Sequence, residues 1–382
     1  MERTIYLDNN STTQLLPEVV EAMLPFLQAD YANPSSLHPP GQAVRHRVEC
    51  AREQVAALIG ASPKEMIFTS CGTESINLAV RGLIRSRLGK RRWVTTAVEH
   101  SAVLALADQL AAEDMIVDHV GVDHEGRLDE AEWASRLTDD VALASIMHAN
   151  NETGVVFDIA RLAGIAADRG IPVHVDAVQS AGKLPIDVSS WPVSLVSLSA
   201  HKFHGPKGVG ALYIRKRTPL EPMIVGGGQE RRLRGGTENV VGIIGLGVAA
   251  EAAGRECNET TRHVGSLRDL LEKGILKAVP FARVNGSGAE RIYNTSNISF
   301  EGLESEAILI LLGEAGVCAS AGSACSSGSL EPSHVLKAMD IEPGFAHGAI
   351  RFSLSRFNTV EEVYQTLELL PALLSRLTVL SR

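Results

Sequence analysis

Short apolar, β-branched runs alternate with helix-period segments along most of this chain, and that alternation constrains its fold more than any other feature. Runs at residues 66–69, 93–97, 141–147, 171–175, 195–198 and 209–214 read as strands buried on both faces. Helical patterns lie between them at 17–28, 42–59, after Thr73, from Ser101, and from Asp158 to Gly170. Strand and helix in turn imply right-handed βαβ units and a mostly parallel sheet, for which seven strands are expected. A helical stretch at 240–253 is expected to lead out of this large domain, followed by a separate amphipathic helix at 262–279. Short strands at 283–285, 297–300 and 350–354 then build a smaller α/β domain. The expected division is 17–255 for the large domain and 1–16 with 256–382 for the small one.

The totals exclude several functions. The chain has 382 residues, 45% of them hydrophobic, and a formal net charge of −9. With no lysine- or arginine-rich block, neither nucleic acid nor an anionic membrane is expected as partner. Its five cysteines form no CxxC pair and read as free thiols of a reducing cytoplasm. The longest apolar run, 240–250, falls well short of the ~20 residues that span a bilayer. No Walker loop is present, so nucleotide hydrolysis has no support.

Within an open α/β sheet, ligands bind at the carboxyl ends of the strands. Asp176 and Lys202 follow two such runs, in IPVHVDAVQ and SLVSLSAHKFHG. An acid and a lysine facing one crevice suit pyridoxal 5′-phosphate. The amine would form a Schiff base with the aldehyde and the carboxylate would pair with the pyridinium nitrogen. Around them the chain offers the remaining contacts. Gly72 and Thr73 open a helix after a strand, with free amides for a phosphate, and Ser199 and His201 lie within reach of the same group. His100, at another strand end, would stack on the ring and shuttle protons, or would simply cap the following helix. Asn150 and Asn151 offer neutral hydrogen bonds, and Gln179 can reach the phenolic oxygen of the ring. Thr237, in a glycine- and arginine-rich loop, could donate to the phosphate of a neighbouring subunit. The pair His201 and His204 lacks further ligands and is not read as a metal site.

Two residues set the reaction. Cys325 sits in the small-residue stretch ASAGSACSSGS, where a thiolate could meet a substrate and carry a product away. Arg351, in AIRFSLSRF, could clamp a substrate carboxylate or serve a structural ion pair.

Taken in order, YLDNNSTT, NPSSLH, FTSCGTES, EHSAVL, NNETG, HVDAVQ, SAHKFHGPKGVG, RGGTEN, GSACSSGSLEPSHVL and IRFSLSRF resemble the cysteine desulfurases. These are fold-type I, class V aminotransferase-like pyridoxal phosphate enzymes, and the match runs from Tyr6 to Phe357, nearly the whole chain. The forms GSACSSGSLEPSHVLKAM and AHGAIRFSLSR look closest to the nitrogen-fixation branch. The resemblance implies an α/β fold with a mostly parallel seven-stranded sheet and a smaller domain. It implies Lys202 as the Schiff-base residue, Asp176 at the ring nitrogen, His100 on the ring and Gln179 at the phenolic oxygen. It assigns Gly72, Thr73, Ser199, His201 and Thr237 to the phosphate, and Asn151 and Arg351 to cofactor and substrate. Cys325 would take sulfur from L-cysteine as a persulfide and leave L-alanine. The same thiol is a further expectation as a transient [2Fe–2S] ligand shared with an iron–sulfur scaffold partner, the sulfur acceptor. A homodimer is implied, with Thr237 contributed across the interface. Ser355 and Gln229 depart from the commoner glycine and histidine of the family; the serine reads as a mark of the nitrogen-fixation branch.

Other readings use the same scaffold: a selenocysteine or cystine lyase, a class V transaminase, or a non-catalytic sulfur-relay scaffold. Only the desulfurase needs a persulfide-bearing cysteine, and only an enzyme needs the set around Lys202.

Overall fold

The computed structural model describes residues 4–322 and 331–380. Twelve strands occur in this part: β1 (Ile5–Tyr6), β2 (Met66–Thr69), β3 (Arg92–Thr96), β4 (Ile116–Val120), β5 (Val141–Met147), β6 (Val173–Asp176), β7 (Leu195–Ser199), β8 (Gly210–Ile214), β9 (Ala282–Val284), β10 (Thr295–Phe300), β11 (Val317–Cys318) and β12 (Ala349–Ser353). Seven form one sheet in the order β2-β8-β7-β6-β5-β3-β4. Only β8 runs against its neighbours. The expected mostly parallel, seven-stranded sheet is therefore present. Its seventh member, β4, was not among the runs read as strands. IVDHV lies at the sheet edge and carries polar residues, so it lacks the signature of a strand buried on both faces.

Residues alternating along the buried strands feed two separate layers. Met66 and Phe68 pack on one side of β2 and Ile67 on the other, just as Val196 and Leu195 divide on β7. One layer holds the helices α1 (Pro17–Gln28), α2 (Pro39–Leu58), α5 (Glu130–Arg136) and α6 (Ile159–Ala167). The other holds α3 (Gly72–Ser86) and α4 (Ser101–Ala112). The stop at α6 comes as expected: Asp158 accepts the Arg161 amide at 3.1 Å, and Gly170 turns the chain with φ +65°.

The two helices expected at 240–253 and 262–279 are one, α7 (Val240–Ala278), 39 residues long. The polar stretch between the two patterns, residues 254–261, hides this continuity; its one glycine costs a helix only ~1 kcal/mol, and no proline interrupts it. The first half of α7 packs into the sheet core through Ile243, Leu246 and Ala250. Its second half packs Val264, Leu267, Leu271 and Ile275 into a second core built on the antiparallel sheet β12-β10-β9. The boundary expected at 255/256 thus falls inside a continuous helix. Ile5 and Leu7 join the second core, and β1 pairs in parallel with β11. Beyond it lie α8 (Ser305–Glu314), α9 (His334–Ala338), α10 (Pro343–Ala346) and α11 (Val360–Leu380). Among the described residues no helix is long and apolar enough to cross a membrane.

Candidate active site

Because β2, β3, β5, β6 and β7 all run in one direction, their carboxyl ends open on one rim. That rim carries Gly72, His100, Asn151, Asp176 and Ser199. β6 and β7 are neighbours, with Asp176 opposite Ser197. Lys202 closes a single 3-10 turn after β7. Its Nζ donates to the main-chain oxygens of Asn10 at 2.6 Å and Ser11 at 3.0 Å. Asp176 is buried and accepts the Val178 amide at 2.9 Å. Burial drives its carboxyl up to about 6, against the opposing pull of that amide and of the Lys202 charge. A buried acid of raised pKa gains most from a cation placed beside it.

The phosphate end is built on α3. Cys71 is its N-cap, with Sγ accepting the Glu74 amide at 3.5 Å. The amides of Gly72 and Thr73 have no acceptor within the helix. A Cβ on Gly72 would stand 2.8 Å from Val178 Cγ2 and 3.6 Å from Ser199 Cβ, so only glycine lets α3 start this close to the ends of β6 and β7. The Ser199 hydroxyl makes no hydrogen bond to a described residue. His201 Nδ1 lies 3.3 Å from Thr12 Oγ1; burial, then the charges of Lys202, Lys207 and Lys183, hold its pKa down at about 4. Thr237 is exposed, between Arg234, paired with Glu74 at 3.0 Å, and Asn239, the cap of α7.

His100 caps α4: its Nδ1 accepts the Ala102 amide at 3.1 Å. Burial, then Lys202 and His334, lowers its pKa to about 4. The ring is therefore neutral at physiological pH, with its proton on Nε2. The two neighbouring asparagines separate in role. Asn150 is structural, its amide donating to Val98 O at 3.0 Å and its Oδ1 accepting the Glu152 and Thr153 amides at 2.9 Å. The Asn151 side chain has no such ties, while its main-chain oxygen accepts from Arg351 at 3.0 Å. Gln179 donates from Nε2 to Asn10 O at 2.8 Å. Arg351 is buried, and its guanidinium donates to Asp8 Oδ1 and Ser11 Oγ, both at 2.8 Å, and to Gly322 O at 3.3 Å. A carboxylate, that of Asp8, already occupies one side of this fork.

Cys325 lies outside the described residues. On one side of it, Gly322 is held by Arg351; on the other, Ser333 donates to Glu152, and His334 donates from Nε2 to Glu99 O at 2.9 Å. Among the described residues no group of three or more side chains could hold a metal ion.

Sequence reasoning missed several residues here. Asn10 accepts from both Lys202 and Gln179 on a main-chain oxygen, which no residue type advertises. Lys183 is buried behind Gln179. Glu99 is buried with Oε2 unpartnered among the described residues; burial and then the Asp176 charge push its carboxyl up to about 8. The YLDNNSTT segment was the available signal for Asp8, Asn10 and Ser11.

This set fits pyridoxal phosphate: an amine at one strand end, a buried acid at the next, and a helix start narrowed by Gly72 beside an unpaired hydroxyl. Comparison with known proteins agrees. The model of the aminotransferase class-V family matches residues 5–366. "Cysteine desulfurase NifS" of Azotobacter vinelandii is 50% identical over 374 residues, 98% of this chain and 93% of that protein. A "Cysteine desulfurase" of Cereibacter sphaeroides is 50% identical over 383 residues, covering 100% of this chain and 98% of its own. Among solved structures, a "NIFS-like protein" superposes with a TM-score of 0.92 at 39% identity, over 98% of this chain and 100% of the other. "SspA in complex with cysteine" does so with a TM-score of 0.82 at 33% identity, over 93% and 100%. The chain belongs to the aminotransferase class-V family and, within it, to the pyridoxal-phosphate-dependent cysteine desulfurases.

Proposed function

We propose that the rim around Lys202 converts L-cysteine and the Cys325 thiol into L-alanine and a Cys325 persulfide. The Cβ–S bond breaks, an S–S bond forms on the enzyme, and the protons lost from sulfur and α-carbon balance those gained at carbon and on the persulfide. The observation that carries this reading is the adjacency of Asp176 and Lys202 on paired strand ends, acid and amine in one crevice.

When bound, pyridoxal phosphate supplies the electron sink that makes the substrate's α-proton acidic. Every other task falls to groups of the chain itself. Lys202 bears the cofactor and moves the α-proton. Asp176 keeps the ring nitrogen charged, and Gln179 bonds the phenolic oxygen. The α3 amides at Gly72 and Thr73 hold the phosphate with Ser199 and His201, joined by Thr237 of a second copy in a homodimer. Asn151 and Arg351 orient cofactor and substrate. His100, neutral and tied to α4 through Nδ1, has Nε2 left to exchange a proton with the substrate. Cys325 attacks the substrate sulfur. Its chain neighbours support this, since Gly322 and Ser333 on either side of it bond to Arg351 and Glu152.

Sulfur held on Cys325 would pass to an iron–sulfur scaffold protein in the cytoplasm, with nitrogenase the destination that the nitrogen-fixation-type segments around Cys325 and Arg351 suggest. Cys325 as a [2Fe–2S] ligand shared with that scaffold belongs to the same reading, as does the division into a large and a small domain around the two cores. The test is incubation with L-cysteine followed by mass spectrometry. A mass increase of one sulfur on the peptide bearing Cys325 and equimolar alanine are expected. A Cys325→Ser variant should keep its chromophore and lose alanine formation; full turnover by that variant would refute the role.

A further inference from the structure

Lys183 stands where a lysine is hard to justify by stability. It is 7% exposed, and its Nζ donates to a neutral acceptor, Gln179 Oε1, at 3.2 Å. No carboxylate among the described residues offsets it. Burial pushes its pKa down to about 7, and the charges that add to the effect, Lys202 and Arg351, are both positive. A lysine kept for stability is ion-paired or reaches solvent. This one does neither among the described residues. Its charge in turn acts on His201 and His204, and Arg356 and Tyr293 line the same small cavity.

The contact has a directional consequence. An ammonium has donors only, so the end of the Gln179 amide that faces it must be oxygen. That turns the Nε2–H bonds the other way, toward Asn10 O at 2.8 Å, the oxygen that also receives Lys202 Nζ. A donor therefore lies beside the amine, and while Lys183 holds its proton a positive charge stands one bond behind it.

We infer that Lys183 is a positioning residue for the cofactor: it locks the Gln179 amide with its N–H toward the phenolic oxygen and favours that oxygen as the anion. The inference rests on the assignment of Lys202 and Gln179 given above. An N–H donor and a nearby cation both favour loss of the proton that the phenolic oxygen shares with the Schiff-base nitrogen. Removing Lys183 weakens both.

The test is the visible absorption of purified holoenzyme titrated with pH, in wild type, Lys183→Met and Lys183→Arg. The midpoint of the spectral change should rise by about one pH unit in Lys183→Met and stay within ~0.3 unit in Lys183→Arg, which keeps charge and donors. The alkaline-side change in the pH profile of kcat/KM should move with it. Should Lys183→Met fail to accumulate folded, Lys183→Gln keeps a donor without the charge, and a shift of the same sign is expected. An unshifted midpoint in the methionine variant, or in the glutamine variant where that one is used, overturns the role of Lys183 while leaving the cofactor site intact. A wild type with no borohydride-reducible pyridoxyl group on Lys202 overturns the site itself.

Discussion

The Lys202 ammonium donates to the main-chain oxygen of Asn10 at 2.6 Å, so the amine at the heart of the site rests on the N-terminal segment. Asn10 is itself buried and clamped. Its amide group donates to Thr295 Oγ1 at 2.8 Å and to Asn151 O at 3.2 Å, its Oδ1 accepts from Asn294 at 3.0 Å, and its N–H donates to Ser353 Oγ at 2.9 Å. Asn10→Ala removes three buried hydrogen bonds and strands their partners, at a cost of about 2–4 kcal/mol. Urea unfolding should show that loss, and dialysis should show faster escape of the cofactor. Wild-type values for both would contradict the clamp.

Asp176 should make the cofactor-free protein sensitive to mild acid in an unusual direction. Its folded pKa of about 6 lies above the unfolded value of 3.8, so the folded state holds the extra proton between the two. The associated stability is complete below pH ~4 and is lost as pH rises through ~6, roughly 3 kcal/mol in all. Asp176→Asn should lack this loss. Above pH 6 it should melt higher than wild type without cofactor, while its desulfurase activity collapses. Glu99, raised to about 8, adds a similar loss at higher pH. Melting curves from pH 4 to 8 would test the pair, and parallel curves for the two proteins would refute the assignment.

For His100, a pKa of about 4 means that no limb of the activity profile between pH 5 and 8 belongs to this ring in the free enzyme. His100→Ala should lower kcat by about 10²–10⁴-fold, the range for a lost proton-transfer group. Loss of the Ala102 cap should lower stability by only ~1 kcal/mol. An unchanged kcat would assign His100 to the cap alone.

Arg351 and Asp8 predict opposite effects on substrate affinity. Arg351→Lys loses the fork and should raise KM for cysteine about tenfold or more while the chromophore persists. Asp8→Asn removes a carboxylate that holds the guanidinium at 2.8 Å, and should lower KM. Steady-state kinetics decide, and a KM for Asp8→Asn above that of wild type would show that Asp8 orients the guanidinium instead of competing for it.

What could be read from residues follows from what leaves a pattern. Asp176 and Lys202 were legible because each ends a run that is apolar on both faces, so its place on the rim was implied once the sheet was parallel. β4 lacks such a run because Asp118 and His119 interrupt it and most of it is not buried, and α7 reads as two helices because the polar stretch 254–261 separates its two apolar patterns. Asn150 and Asn151 looked equivalent in sequence. Only the turn that consumes every polar atom of the first distinguishes them. Asn10 acts through its backbone, and Lys183 is singled out by burial with no acid beside it among the described residues. Neither property can be seen in a residue's identity.

The single unbroken rod of α7 ties the geometry of catalysis to helix mechanics. At 1.5 Å per residue it is ~58 Å long, and from Gly254, whose Cα faces open space, to its far end is roughly 36 Å. A flexure of about 5° at that glycine displaces the end by ~3 Å. Arg351 lies between Ile350 and Phe352 of the core that this far half carries, whereas Lys202 is rooted in the sheet. Ser11, which receives both Arg351 and Lys202, is the tie that such a flexure would have to strain before the gap between the two groups could change.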